Sequence, residues 1–229
     1  MSVTNSTSDE SAALIPGPSV ERNSRPQSAV GLPPELARRI FDLSLALPAS
    51  LVLLPLLGLL AMLVRLTSDG PSIYRNQVAG RLGRPFTLYK FRTMVPGASQ
   101  SKTALMASNE ADWPMFKMRQ DPRVTSFGRF LRRHSLDELP QLWNVIKGDM
   151  SLIGPRPVLL SEWVHFEPWQ RQKLAIRPGA ICLWHLRGQP RDLATWIRLD
   201  LEYMRTWSVV LDFKILLLGS VFMLRGQNY

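Results

Sequence analysis

Between Arg132 and Pro157 the chain reads RRHSLDELPQLWNVIKGDMSLIGPRP, which sets two adjacent carboxylates, Asp137 and Glu138, among arginines, a lysine, glycines and prolines. An ionised aspartate can attack phosphorus or ligate a divalent metal such as Mg2+. Both tasks bring negative charge towards a negative substrate, so cations must stand close by. Lys90, Arg92, Arg132, Arg133, Lys147, Arg156 and Arg177 are the candidates to supply them. Arg156 lies between Pro155 and Pro157 after Gly154, a stiff turn suited to bidentate contact with a diphosphate. Taken singly, most such arginines are solvated surface charges, so the weight rests on the group.

The dyad also has a purely structural reading. Ser135 and Glu138 have the S-x-x-E spacing of a helix capping box, in which Glu138 reaches back to a backbone N–H. Pro140 would then fall inside that helix and cost it a hydrogen bond. If the helix starts at Pro140 instead, proline takes the favoured first turn and both carboxylates lie at the positive end. Either arrangement favours ionised carboxylates.

Three parts of the chain must position this segment. Residues 1–33 hold seven serines and no aromatic residue, and read as a disordered leader. Within 34–66, Leu43 to Val64 is a run of 22 residues without a charge. As a straight helix it would reach roughly 33 Å, close to the ~30 Å of bilayer hydrocarbon. Arg38 and Arg39 precede the run and Arg65 follows it, so flanking charge favours neither orientation. Pro48 and Pro55 interrupt it, with Ser44 and Ser50 placed to satisfy carbonyls that the prolines free. A kinked single span and a re-entrant hairpin that returns to its own side both answer this pattern, on even terms.

Residues 67–229 read as a small α/β (α+β) domain on the membrane surface. Ser72–Tyr74 and Phe86–Phe91 alternate as strands around the turn GRLGRP, 98–122 reads as a loop, and Phe127–His134 and Pro140–Lys147 as short helices. Glu162–Ile176 and Leu193–Trp207 are amphipathic. Core packing is the ordinary reading of such helices, but the tryptophans at 163, 169, 184, 196 and 207 favour the headgroup layer. Leu211–Leu224 is too short, and too charged at its start, to span a bilayer.

The net charge is +10, and residues 65–229 carry all of that surplus and one charge more. Such a surplus calls for an anionic partner: nucleic acid, lipid headgroups or a phosphorylated small molecule. No zinc-finger spacing, RNP-like strand or recognition helix supports nucleic acid. A single cysteine, Cys182, excludes an intrachain disulfide, and three scattered histidines make no metal set.

Four blocks occur in order: FDLSLALPASLVLLP, SDGPSIYRNQVAGRLGRPFTLYKFRTM, RRHSLDELPQLWNVIKGDMSLIGPRP and LDLEYMRTWSVVLDFKILL. Together, over about residues 36–227, they resemble the bacterial sugar transferase family, the monotopic polyprenyl-phosphate phosphoglycosyl transferases. The resemblance implies transfer of a sugar phosphate from a UDP-sugar to polyprenyl (undecaprenyl) phosphate, releasing UMP. It implies Asp137 as covalent nucleophile and Glu138 as the residue associated with Mg2+. It also implies a re-entrant membrane helix kinked near Pro48 and Pro55, with the catalytic domain on the cytoplasmic face of the bacterial inner membrane. Substrate contacts are expected from Lys90, Arg92, Arg132, Arg133, Arg156 and Arg177, the partners being donor, acceptor and membrane lipids, with room for a homodimer.

Two departures from the family pattern stand out. Leu54 precedes Pro55 where family members carry serine. In RPGAICLWHLRG (177–188) Ile181 and Cys182 replace a Thr-Gly pair, and His185 stands at a glutamine position. The rival reading is a basic membrane-surface protein that holds polyanions without catalysis.

Overall fold

The computed structural model describes residues 34–187 and 192–226. The expected leader, 1–33, lies outside the described residues. The chain enters through α1 (Pro34–Thr67), a single 34-residue helix that contains both Pro48 and Pro55. It is long and apolar enough to cross a membrane by length and composition. Neither proline ends it. The expected help from serine hydroxyls is not seen: Ser44 Oγ donates to the Phe41 carbonyl at 2.9 Å, and Ser50 Oγ has no partner.

Both ends of α1 pack on the same globular domain. At the N-terminal end Arg39 donates to the carbonyls of Val145 and Ile146 at 2.5 and 2.6 Å. Asp42 there accepts the Ser151 hydroxyl and the Leu152 N–H. At the other end Leu60 and Val64 are buried with Phe91 and Leu131. Between the two, Leu51 and Val52 are 74% and 76% exposed, with Leu47, Leu54 and Leu59 also exposed. Apolar surface of this extent left open to one side marks a contact with something apolar.

The domain is built on an antiparallel hairpin, β1 (Ile73–Ala79) and β2 (Pro85–Phe91), in register from Ile73 opposite Phe91 to Ala79 opposite Pro85. The first strand runs five residues past the predicted Tyr74. The predicted loop 98–122 holds a 3-10 stretch, Gln100–Ser108. Then come α2 (Ser126–Arg133), α3 (Gln141–Lys147) and β3 (Ser151–Ile153). β4 (Val158–Leu159) pairs with β1, and β5 (Gly179–Ile181) runs parallel to β3. The core joins Ala46 of α1, Val78, Leu88, Val145, Met150 and Ile153.

The segment 162–176 is not one amphipathic helix. It breaks into α4 (Leu160–Trp163), α5 (Pro168–Arg171) and a 3-10 turn, Gln172–Ala175. Pro168 cannot continue a helix, so it begins α5, where the Glu167 N–H donates to Gln170 at 2.8 Å. After the single turn α6 (Leu183–Leu186), α7 (Leu193–Thr206) turns Leu193, Trp196, Ile197, Asp200 and Tyr203 inward. Trp184 and Trp196 are buried, so core packing takes these two indoles, while Trp163, Trp169 and Trp207 are half-buried. The exposed indoles are Trp113 and Trp143. The last helix, α8 (Val209–Leu224), leaves Val210, Phe213 and Leu217 exposed.

Candidate active site

A sharp reversal carries the dyad. Thr125 Oγ1 accepts the Gly128 N–H at 2.9 Å and starts α2. A side chain at Gly128 would run into the Thr93 carbonyl, so only glycine lets α2 lie this close to the end of β2. After Arg133 the chain turns through Ser135 in the left-handed region (φ 52°), then a 3-10 turn, Leu136–Glu138, with Pro140 capping α3. The capping box does not form, because left-handed Ser135 makes no side-chain capping bond. The start of α3 beside Pro140 does occur, with the carboxylates on the turn just ahead of it.

Asp137 points inward and is 8% exposed. Glu138 faces β2, where Lys90 Nζ lies 2.5 Å from its Oε1. Burial pushes the Asp137 carboxyl above the usual range, opposed by the charge of Lys90, aided by that of Glu138, and opposed again by Arg132. The helix end expected to ionise Asp137 is thus not the main influence on it: burial is the largest, and the charges of Lys90 and Arg132 oppose that burial. Arg132 Nε donates to Thr93 Oγ1 at 2.9 Å. Burial works against the Arg132 charge, while the carboxylates of Asp137 and Asp121 work for it.

Lys90 is placed by a residue the sequence did not single out. Buried Asn144 of α3 accepts the Tyr89 N–H at 3.1 Å and donates to the Thr87 carbonyl at 2.7 Å, clamping β2 to α3. Asp121 and Arg123 form a second unforeseen element, a buried bidentate pair at 2.9 and 2.6 Å. Burial of both partners is visible only in three dimensions.

Arg156 lies in a second cluster. Its guanidinium rests over Trp184 at 4.6 Å and Trp196 at 6.0 Å, and its backbone N–H donates to Asp200 at 3.3 Å. Asp200 is paired at 2.5 Å with Lys173, the two side chains being 1% and 0% exposed. Lys173 Nζ lies 4.3 Å from the centre of the Trp196 ring. A signal for Asp200 exists in the sequence: it is a carboxylate on the apolar face of α7, in phase with Trp196 and Tyr203. The charges of Asp200, Arg156, Lys173 and Glu138 all reach the buried Cys182 thiol, which burial pushes up to about 12. Ile181 ends β5, and Cys182 packs, buried, with Trp184 and Trp196.

Asp137, Glu138, Lys90 and Arg132 are therefore brought together, and Arg156 forms the neighbouring group. Arg133 donates to the Gly226 carbonyl at 3.2 Å, on the wall of a cleft that Arg132 also lines. Arg92 holds the end of α1, donating to Ser68 Oγ, the Ser68 carbonyl and the Pro71 carbonyl. Arg177 donates to the Gly148 carbonyl at 2.9 Å, and Lys147 pairs with Asp149 at 3.0 Å. The backbones of Gly154 and Gly179, two residues from Arg156 and Arg177 respectively, touch, and a Cβ on Gly179 would stand 2.0 Å from the Gly154 nitrogen. Glycine in both GPRP and RPG is a packing requirement of the β3–β5 pair.

A magnesium ion needs only one or two carboxylates when substrate phosphates complete its shell. Asp137 and Glu138, adjacent on one turn and both within the field of Lys90, fit that donor set. Among the described residues no group of three or more His, Cys, Asp or Glu offers a fuller one.

Residues 34–226 match the profile described as bacterial sugar transferase. The galactosyl transferase CpsE of Streptococcus agalactiae is 37% identical over 84% of this chain and 43% of its own length. The undecaprenyl-phosphate galactose phosphotransferase of Salmonella typhimurium is 38% identical over 83% of this chain and 41% of its own. The exopolysaccharide production protein ExoY of Sinorhizobium fredii is 36% identical over 79% of this chain and 82% of its own. The chain thus spans less than half the length of the first two relatives but most of the third. From the match over 34–226 and these identities, the chain belongs to the bacterial sugar transferase family.

Proposed function

We propose that the chain transfers a sugar 1-phosphate from a UDP-sugar to polyprenyl phosphate, releasing UMP and initiating a cell-surface glycan such as an exopolysaccharide, a capsule, an O-antigen or a glycoprotein glycan. The observation that carries this reading is the buried Asp137 carboxylate with Glu138 beside it and Lys90 and Arg132 as its counter-charges. An Asp137 oxygen attacks the sugar-bearing phosphorus, the phosphorus–oxygen bond to UMP breaks, and an aspartyl phosphosugar forms. An oxygen of polyprenyl phosphate then attacks the same phosphorus and the Asp137 carboxylate leaves. Two displacements let a soluble donor and a lipid acceptor use one nucleophile in turn.

Burial strips water from Asp137, which sharpens it as a nucleophile once Lys90 and Arg132 hold it ionised. Lys90 and Arg132 also offset the charge of the incoming diphosphate. Arg156, braced on Trp184 and fixed at its backbone by Asp200, offers the neighbouring cation for the nucleotide side. Glu138, with Asp137 beside it, would hold Mg2+, which when bound supplies further neutralisation of the diphosphate.

The same reading makes α1 re-entrant, its exposed middle dipping into the cytoplasmic leaflet of the inner membrane. Its support is that α1 packs on one domain at Arg39 and again at Val64, positions that a straight helix would part by about 38 Å, while the stretch between them stays exposed. Two relatives are named for galactose and glucose phosphotransfer, so UDP-galactose and UDP-glucose head the donor panel. The test is UMP release by purified protein with Mg2+ and polyprenyl phosphate, beside Asp137→Asn. UMP from one donor, lost in the variant, is expected. A folded wild-type protein that releases none from any donor would instead favour non-catalytic polyanion binding.

A further inference from the structure

At the tip of the β1–β2 hairpin one residue is held against its own preference twice over. Leu82 has φ 56° and ψ 28°, in the left-handed region where a side chain like leucine is uncommon, and it is 64% exposed. The tip is not loose. The N–H groups of Gly83 and Arg84 donate to the carbonyls of Gly80 and Arg81 at 3.0 and 3.2 Å, and the Gly80 N–H donates to the Arg84 carbonyl at 2.8 Å. A strained backbone that its surroundings fix, with an apolar side chain left outside, points to a contact made there. The hairpin runs along α1. At its Ile73–Phe91 end Phe91 packs with Leu60 and Val64, and at its tip Arg81 pairs with Glu35, in the first turn of α1, at 2.5 Å.

We propose that this tip, Arg81-Leu82-Gly83-Arg84, is a second membrane contact: Leu82 enters the headgroup layer of the bilayer that seats α1, with the two guanidiniums at lipid phosphates. The proposal rests on the reading that α1 lies in the membrane. Three observations select a lipid surface. The Arg81–Glu35 pair brings Leu82 to the end of α1 where Leu36 and Ile40 are also exposed, so the apolar surface of the helix continues onto the tip. Arg84 is exposed and has no partner among the described residues, which leaves its charge for an anion. Half-buried Trp163 borders the tip, since a Cβ on Gly83 would stand 3.4 Å from its ring, and Val164 beside it is 62% exposed. Leucine, arginine and an indole together are the set that gains where apolar chains meet charged headgroups. A contact at the tip, added to α1, fixes how the domain tilts on the bilayer.

Cys182 is the only cysteine and is buried, so a cysteine added at the surface can be labelled alone. Nitroxide labels are placed on Leu82→Cys and, in the exposed middle of α1, on Val52→Cys, with the protein in nanodiscs of phosphatidylcholine and phosphatidylglycerol. Collision of each label with oxygen is compared with its collision with a water-soluble nickel chelate, free label in water being the aqueous reference. We expect the Val52 label to favour oxygen strongly and the Leu82 label to favour it less strongly but well above the reference. A Leu82 label as open to the chelate as the free label, with Val52 in lipid, overturns the proposal and leaves the seating of α1 intact. Both labels in water overturn that seating as well. A Leu82 label shielded from both reagents marks a protein contact and also overturns the proposal. Leu82→Asn, whose side chain tolerates the left-handed region, should melt in detergent no lower than wild type. A midpoint lower by more than about 2 °C would make Leu82 a packing residue and overturn the proposal by itself. None of these readouts uses UMP release, so the transferase reading stands or falls apart from them.

Discussion

Replacing Lys173 by Met should unfold the site from beneath. Lys173 and Asp200 are 0% and 1% exposed and 2.5 Å apart, so the substitution leaves a buried carboxylate without its paired cation and with only the weaker influence of Arg156. Breaking a buried pair on one side costs about 3–5 kcal/mol, against a total stability on the order of 5–15 kcal/mol. For a domain this size each kcal/mol moves the midpoint by about 2–4 °C, so the melt should fall by about 6–20 °C. The loss should deepen with pH. Burial raises the Asp200 pKa and Lys173 is the first charge opposing that rise, so without Lys173 the folded state binds a proton that the unfolded state releases. Stability then declines as pH climbs from the unfolded carboxylate value towards the raised one. Lys173→Met/Asp200→Leu removes both charges and should regain most of the midpoint. The Arg156 N–H still loses its acceptor, so the donor KM should stay raised. Thermal unfolding in detergent, followed by tryptophan fluorescence from about pH 5 to about pH 8, reads the first effect. A single variant melting within about 2 °C of wild type would refute the energetic argument.

Lys90→Met removes the largest charge holding down the Asp137 pKa, so the acid limb of acceptor-free UMP release should move to higher pH; an unmoved limb would detach Lys90 from the nucleophile. Accessibility tags placed at the N-terminus and at Tyr229 should label from the same membrane face if α1 is re-entrant, and opposite faces would make it a simple span.

The parts of the fold set by local rules were legible. Strict alternation about GRLGRP gave the hairpin, and the apolar and basic spacing of 126–147 gave α2 and α3. What escaped were groups whose meaning depends on burial. Lys173 and Asp200 sit in segments that read as amphipathic faces, yet tertiary contact turns both inward. Pro168 splits 162–176, because a proline cannot continue the helix that the apolar spacing alone suggests. Arg92 was among the cations expected at the substrate, but β2 ends at Phe91 and its guanidinium turns to the end of α1. The dyad itself could be read from its neighbours in sequence. Its raised pKa could not, since that comes from packing between β2, α2 and α3.

The most direct test of the covalent route is the intact mass of the protein, acid-quenched after incubation with UDP-sugar and Mg2+ but no acceptor. A mass gain of one sugar phosphate, mapped to Asp137 and absent in Asp137→Asn, is the predicted result. UMP release with no mass gain under single-turnover conditions would contradict it and leave direct transfer between the two substrates.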